Sequence, residues 1–192
     1  MPDSKTESGL TDRPRVVLDA NVLYGLPLRD TLLTLASEPF ALLQPTWSNE
    51  ILAEVQRNLV ARGRLSASQA ARAVAVMQKA FPEAAIVAGQ PLIDRMPNHP
   101  KDRHVLVVAV VVEADRLVTY NLRDFAAAGQ LGIAAVHPDD FLCELHNRAA
   151  DIVCAAVAAQ MQRLTAPAMT WPRMLVAMER ARLSKFAARL RR

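Results

Sequence analysis

The chain has 192 residues, of which 52% are hydrophobic and 5% aromatic, and its formal net charge at pH 7 is +4. This length and apolar content suit one domain with a sizeable core and exclude a disordered chain. Two cysteines are too few for a disulfide framework, and the longest apolar run, residues 105–112, is too short to span a bilayer. We therefore expect a soluble, cytoplasmic protein without a membrane partner.

Basic residues are concentrated at the C-terminal end. Residues 170–192 hold seven Lys or Arg and one Glu, so this segment carries +6 and the remainder −2. Such a segment can contact nucleic acid phosphates or an acidic partner, and solvated terminal arginines are an equally good interpretation. We divide the chain into a disordered leader (residues 1–14), a main domain (residues 15–148) and a helical basic C-terminal extension (residues 149–192).

The first predicted element is a short buried strand, Arg15–Leu18, that ends at Asp19. Burying an unpaired carboxylate is costly, so Asp19 should face a cleft or a cation; the alternative is that it caps the next turn. Leucines at helical intervals predict a helix over residues 26–35. A second short strand is predicted over residues 40–43, ended by Pro45.

A longer helix is predicted over residues 46–61, with Ser48 as its N-cap. On this helix Glu50 and Glu54 share a face, so one of them could point into a site while the other lies at the rim. From the spacing alone, an ordinary amphipathic helix with both acids in water is the simpler explanation.

The central stretch, residues 98–125, places Asp102 just before a long apolar segment and Asp124 just after a short one. Six valines between residues 105 and 112 favour a strand by propensity, whereas the preceding Pro and charged cluster are typical of a helix start. If residues 102–114 form a helix, the next apolar run is the following strand of a right-handed crossover unit. If they form a strand, the two apolar runs make a hairpin. The length of the segment favours the helix, but the choice is close.

The remaining predicted elements alternate between helices and short edge strands. They are a helix from Ser66 to Phe81, an edge strand over residues 84–88, a short helix through Gln130, an edge strand over residues 133–136, a helix opened by Pro138 with Asp139 or Asp140 as its cap, a helix over residues 151–164 and a basic amphipathic helix over residues 171–190.

Three aspartates, Asp19, Asp102 and Asp124, thus lie at the ends of buried elements, where open α/β sheets build their sites. Carboxylates and water are the usual ligands of Mg²⁺ and Mn²⁺, and such an ion can orient a water for attack on phosphorus. We expect the three acids to converge on a divalent metal. His99 and His104 flank Asp102, and we assign neither a role.

Four blocks, VVLDANVLYG, SNEILAEV, HPKDRHVLVVAVVVEADRLVT and YNLRDF, follow one another along the chain. In their order and spacing the sequence resembles the PIN domain family of metal-dependent nucleases, and within it the branch of VapC-type toxins of bacterial toxin–antitoxin pairs. The resemblance covers about residues 15–147. It implies a three-layer α/β/α fold with a mainly parallel sheet, Mg²⁺ or Mn²⁺ in an acidic cleft, RNA as substrate and a cognate antitoxin as partner. It also makes the valine-rich segment a helix, and it leaves a homodimer open.

The resemblance implies roles for individual residues. Asp19, Asp102 and Asp124 match the family's metal-binding acids. For the helical glutamate of the site, Glu54 fits the family's spacing better than Glu50, which stays in reserve. The expected catalytic set is therefore these three aspartates and Glu54.

Two asparagines are expected to support the site. The resemblance implies that Asn21 hydrogen-bonds within the site loop. Asn121 stands where many VapC-like proteins carry an additional aspartate, which removes one potential ligand and is compatible with a single bound ion. The extension lies outside the core motif, where it can pack on the domain or form part of an antitoxin or RNA surface.

Other classes fit less well. A haloacid dehalogenase-like phosphatase needs a second Asp at the position of Asn21, and a receiver domain needs a late Lys where this chain offers Arg123. The alternative from another class is a catalytically silent PIN-like module that binds RNA or protein. Retention of all four acids argues against it, because a scaffold has no reason to concentrate repelling carboxylates.

Overall fold

The computed structural model of the chain describes residues 13–165 and 167–191. Within these ranges, five strands form one parallel sheet in the order β3-β2-β1-β4-β5. They are β1 (Arg15–Leu18), β2 (Gln44–Ser48), β3 (Ala85–Ile86), β4 (Arg116–Val118) and β5 (Ala135–Val136). The rest of the predicted disordered leader, residues 1–12, lies outside the described residues.

Helices connect the strands and continue beyond the last of them. They are α1 (Ala20–Leu23), α2 (Leu28–Ala36), α3 (Asn49–Ala61), α4 (Ala67–Ala80), α5 (Gln90–Asp94), α6 (Arg103–Val111), α7 (Pro138–Arg148), α8 (Ala150–Gln162), α9 (Trp171–Arg180) and α10 (Ser184–Leu190). In the described part of the chain, the segments Pro82–Ala84, Pro100–Asp102 and Leu122–Leu131 are 3-10 helices. No helix among the described residues is long and apolar enough to cross a membrane.

Helices cover the sheet, and the predicted three-layer α/β/α class with C-terminal helices is confirmed. Helix α6 packs on β1, β2 and β4. Its residues Val105–Ala109 are all buried, so the helix is surrounded by apolar neighbours on every side. A helix that is apolar all round belongs inside a core, and this burial outweighs the strand propensity of its valines.

The order of the strands reverses between β1 and β4. From β1 the chain proceeds outward to β2 and β3, and β4 then pairs with the other side of β1 and leads to β5. Ligands of open parallel sheets bind beyond the carboxyl ends of strands at such a switch point. Leu18 pairs with Val118 in register, so Asp19 and Thr119, the next residues of the two strands, meet there.

The prediction of a strand over residues 40–43 is wrong. Ala41 has a φ of 44°, and Leu42 N donates to Leu35 O at 2.7 Å, so this segment folds back on the end of α2. The strand is Gln44–Ser48, and the helix predicted from residue 46 begins at Asn49, with Ser48 as its N-cap as expected.

Pro45 was expected to end the second strand, but it lies inside β2. Gln44 N donates to Pro14 O on the β1 side, at 2.9 Å. Successive residues of a strand turn their N–H groups to opposite sides, so the missing N–H of Pro45 lies on the side of β3. The short β3 pairs only with Trp47 and Ser48, and no hydrogen bond is lost at Pro45.

The helix predicted over residues 171–190 is two helices, α9 and α10. Arg182 between them has a φ of 62°, and Leu183 is fully buried. The turn brings the start of α10 to α7, where the Asp139 carboxylate accepts hydrogen bonds from Lys185 N at 3.0 Å and Phe186 N at 2.8 Å. Because Asp139 caps α10, it does not cap its own helix.

The N-cap of α7 is His137, and the prediction of Asp139 or Asp140 is wrong. His137 Nδ1 accepts from Asp139 N at 3.2 Å, and Pro138 takes the first helical position, where a missing N–H costs nothing. The neutral imidazole of His137 therefore caps α7, which is the role that the sequence suggested for a carboxylate.

The C-terminal extension packs into the same apolar core as the sheet. Met174, Met178, Phe186 and Ala187 are fully buried in it. Helix α8 also joins α2 through a buried bond, because Thr31 Oγ1 donates to Gln160 Oε1 at 2.8 Å. The sequence analysis left open whether the extension is solvated, and the described part of it is an integral part of the fold.

Candidate active site

The centre of the site is Asp19, which follows β1 and is 6% exposed. Asp19 stands at the N-cap position of α1, but its side chain makes no capping hydrogen bond. Instead its Oδ2 accepts from Thr119 Oγ1 at 2.6 Å and from Asn21 Nδ2 at 2.5 Å. The carboxylate is thus held by neighbouring side chains for a purpose other than starting the helix.

The charge of Asp19 is poorly solvated. The pKa of Asp19 is raised to about 6, mainly by burial; the hydrogen bond from Thr119 opposes this rise, and the negative charge of Glu54 adds to it. A nearby cation would lower the pKa of Asp19 again, because an opposite charge favours the ionised carboxylate.

Thr119 and Asn21 join the loops that follow β1 and β4. Thr119 Oγ1 accepts from Asn21 Nδ2 and from Asn121 N, both at 3.0 Å, and Asn21 Oδ1 accepts from Tyr120 N at 3.1 Å. The Thr119 hydroxyl therefore uses its donor and both acceptor positions. This network fixes the orientation of Asp19.

Glu54 of α3 meets His104 of α6. Glu54 Oε2 lies 3.2 Å from His104 Nε2, and Glu54 Oε1 lies 3.5 Å from Asn58 Nδ2. The contact with His104 lowers the pKa of Glu54 despite partial burial. For His104, burial alone would lower the pKa, but the contact with Glu54 outweighs it and the pKa is raised. The two residues therefore favour an ion pair.

Asp102 and Asp124 share a lysine. Lys101 Nζ lies 3.7 Å from Asp102 Oδ2 and 3.4 Å from Asp124 Oδ2. Asp102 is at the N-cap position of α6, yet its side chain does not cap the helix, and its buried Oδ2 has no hydrogen-bond partner among the described residues. Burial raises the pKa of Asp102, the charge of Lys101 opposes this, and the charges of Asp124 and Glu54 add to it.

A cavity of about 690 Å³ opens in front of these groups. Four of the predicted site residues line it: Glu50, Glu54, Asp102 and Asn121. Lys101 and His104 also line it, whereas Asp19 is buried and is not among the lining residues. Glu50 is exposed, whereas Glu54 is partly buried and contacts His104, and the choice of Glu54 over Glu50 stays a prediction.

The donor set suits a hard divalent cation. It consists of carboxylate oxygens, one of them the Oδ2 of Asp102, which accepts no hydrogen bond from a described residue, and another on the desolvated Asp19. Among the described residues, however, no three His, Cys, Asp or Glu side chains are already gathered around one point where an ion could bind. The convergence of Asp19, Asp102 and Asp124 on one metal stays a prediction, and the ammonium of Lys101 lies between two of the three.

Comparison with known proteins agrees with this geometry. The family model described as PIN domain matches residues 15–123, more than half of the chain. The chain belongs to the PIN domain family. A second model, described as VapC50 C-terminal domain, matches residues 138–192. The resemblance inferred from the four sequence blocks is confirmed.

A curated relative of this PIN protein comes from Mycobacterium tuberculosis (strain ATCC 25618 / H37Rv) and is named "Putative ribonuclease VapC50". It is 37% identical over 103 residues, which are 53% of this chain and 60% of the relative. The match thus spans about 60% of the relative's length. No solved structure matches the chain.

Sequence reasoning missed three residues of this PIN site: Thr119, Lys101 and His104. Thr119 could have been found from the strand register, because parallel pairing of β1 with β4 puts it beside Asp19. His104 had a weaker signal, since it lies two residues after Asp102. Lys101 had only its position next to Asp102, because its contact with Asp124 joins residues 23 positions apart.

Proposed function

We propose that this PIN-domain protein is a Mg²⁺- or Mn²⁺-dependent endoribonuclease and the toxin of a toxin–antitoxin pair. The observation that carries the proposal is Asp19, a buried carboxylate held by Thr119 and Asn21 at the switch point of the sheet without capping α1. A fold gains nothing from such a charge unless the site uses it. The name of the mycobacterial relative supports ribonuclease activity.

Asp19, Asp102 and Asp124 would hold the metal. When bound, the ion orients a water for attack on phosphorus and neutralises charge on the phosphoryl oxygens. Carboxylate ligands leave room in the ion's shell for water and substrate phosphate.

The other residues of the site position groups and hold protons. Glu54 is kept ionised by His104, so its carboxylate can accept the proton of an attacking water. Thr119 and Asn21 prevent Asp19 from rotating. Lys101, whose side chain is 60% exposed, can donate from its ammonium group to a phosphate oxygen at the mouth of the cavity.

RNA and a cognate antitoxin are the partners that this proposal requires. The competing function is a silent PIN-like module that binds RNA or protein. Asp102 argues against it, because a silent module has no need to keep a buried carboxylate oxygen without a hydrogen-bond partner.

The test is cleavage of a mixed cellular RNA pool by the purified protein with Mg²⁺, with Mn²⁺ and with EDTA. We expect metal-dependent cuts by the wild type, and loss of those cuts in Asp102→Asn. The matched control is Asp151→Asn, an exposed acid in the first turn of α8, which should cleave like the wild type. Absence of cutting with either metal would favour the silent module.

A further inference from the structure

A second cavity, of about 760 Å³, adjoins the acidic one, and Glu54 and Asn121 line both. We call it the basic groove. Its arginines come from two parts of the chain: Arg62 and Arg64 from the connection between α3 and α4, and Arg180 and Arg182 from the end of α9. Four guanidinium groups against one carboxylate make it strongly cationic beside an acidic site.

The two arginines of the extension differ from its other basic residues. The other basic residues that the structure describes in the extension are occupied: Arg163 donates to Thr34 Oγ1, Arg173 to Ala168 O at 3.0 Å, Lys185 to Asp140 at 2.6 Å, Arg191 to Glu179 at 2.6 Å, and Arg189 to Asn147. The side chains of Arg180 and Arg182 have no hydrogen bond or ion pair with any described residue, and both are exposed. The free cations of the described extension are therefore those that line the groove.

The position of Arg182 is itself unusual. Its φ of 62° lies in the left-handed region, which favours glycine at the end of a helix. The turn is anchored to the site, because Tyr120 Oη donates to Ala181 O at 2.6 Å and Tyr120 directly follows Thr119. An arginine at a position where glycine would fit better, in a turn that is tied to the site loop, points to a use for its side chain.

The arginines of the connection between α3 and α4 are also held in place to bind an anion. The guanidinium of Arg62 lies 4.7 Å from the centroid of the Tyr24 ring, and that of Arg64 lies 5.7 Å from it. Stacking on an aromatic ring restrains an arginine without neutralising its charge. Arg64 Nη1 also donates to Tyr24 O at 3.4 Å, and the remaining N–H donors of both guanidinium groups stay available for phosphate.

We propose that the basic groove binds the backbone of single-stranded RNA and leads it to the acidic cavity, with Arg180 and Arg182 as positioning residues. This rests on the proposed function. The volume is that of a small-ligand site, so it holds a few unpaired nucleotides. A duplex needs contacts across successive grooves, which a cavity of this size does not offer. The extension thereby contributes to RNA binding as well as to the core.

The experiment is fluorescence anisotropy with a labelled RNA of about 12 nucleotides, in EDTA so that no cleavage occurs. The variant is Arg180→Gln with Arg182→Gln. Each phosphate contact to a single strand is worth about 5-fold in affinity at about 0.1 M salt, so we expect about 25-fold weaker binding and a salt slope shallower by about 1.4. The matched control, Arg173→Gln with Arg191→Gln, removes the same charge from the extension outside the groove and should bind within about 3-fold of wild type.

A further variant, Arg182→Gly, separates binding from folding. Glycine suits the backbone at this position, so the melting temperature should not fall, while RNA affinity should drop by about 5-fold. A duplex of the same sequence should compete poorly.

Binding of the double variant equal to wild type would overturn the assignment. Equal competition by the duplex would overturn the preference for single strands. Because the assay does not depend on cleavage, a protein that cuts RNA while the double variant binds normally refutes only the groove. A protein that binds through these arginines but never cuts refutes only the nuclease.

Discussion

Replacing Asp19 with Asn should stabilise the fold at neutral pH while it abolishes activity. Asp19 is 6% exposed, and burial raises its pKa from an ordinary value of 3.8 to about 6. A carboxyl whose pKa is raised by folding stabilises the protein only while it is protonated. Its contribution is complete below pH 3.8 and is lost as the pH rises through about 6.

The size of the effect follows from the pKa. A rise from 3.8 to about 6 corresponds to about 3 kcal/mol of stability lost near pH 7.5 relative to acidic pH. Asn removes the charge and its oxygen still accepts from Thr119 and Asn21, but its new N–H donors lack a ready partner. We therefore expect a net gain of about 1–2 kcal/mol.

The assay is urea unfolding of the wild type and Asp19→Asn in EDTA, near pH 7.5 and near pH 4. The variant should be more stable at the higher pH and no more stable at the lower one. Saturating Mn²⁺ should raise the stability of the wild type and leave the variant unchanged, since only a ligand bound to the native state stabilises it. A variant less stable than the wild type near pH 7.5 would refute the argument that the charge of Asp19 is a cost to the fold.

Three further changes test other parts of the structure. Lys101→Met removes the ammonium between two candidate metal ligands, and we expect the Mn²⁺ concentration for half-maximal cleavage to fall by about 2- to 5-fold; a rise would contradict competition between lysine and metal. Burial lowers the pKa of His137, the neutral cap of α7, so stability should fall as the pH drops below 6.5, and His137→Asn should flatten that dependence in thermal melts from pH 7 to 5.5. Phe186→Ala, at a fully buried position in α10, should cost about 3–5 kcal/mol in urea unfolding; a loss below about 1 kcal/mol would mean that the extension folds separately.

The sequence predicts an element well where local pattern and tertiary packing agree. The β-branched run before Asp19 forms β1, and Ser48 caps α3 as its position suggests. The valine-rich α6 is harder, because its propensity favours a strand and only its burial on all sides favours a helix. Pattern alone left that choice close, and the resemblance to PIN domains decided it.

The failures have physical causes beyond the local sequence. Pro45 is compatible with β2 because its neighbour β3 pairs only further along the strand. The break at Arg182 carries no Gly or Pro signal, since it is imposed by the packing of Leu183 and by the Asp139 carboxylate at the start of α10. Both depend on which segments meet in three dimensions.

The candidate site divides in the same way. Its acids could be named because they stand at the ends of buried elements, where open α/β sheets build their sites, and because a buried carboxylate without a partner is costly. Their partners could not: Thr119 requires the register of β1 and β4, and the contact of His104 with Glu54 requires the packing of α6 on α3. The basic groove is still harder to predict from sequence, because it combines residues at the end of α9 with residues of a loop far away in the chain.

The most direct test of the account is the cleavage rate of a labelled single-stranded RNA across a Mg²⁺ titration, measured for the wild type and Asp19→Asn at equal folded concentration. The account predicts that wild-type cleavage rises with Mg²⁺ and stops in EDTA, and that the variant does not cleave although it is at least as stable. Cleavage by the variant at the wild-type rate, or wild-type cleavage that persists in EDTA, would contradict it.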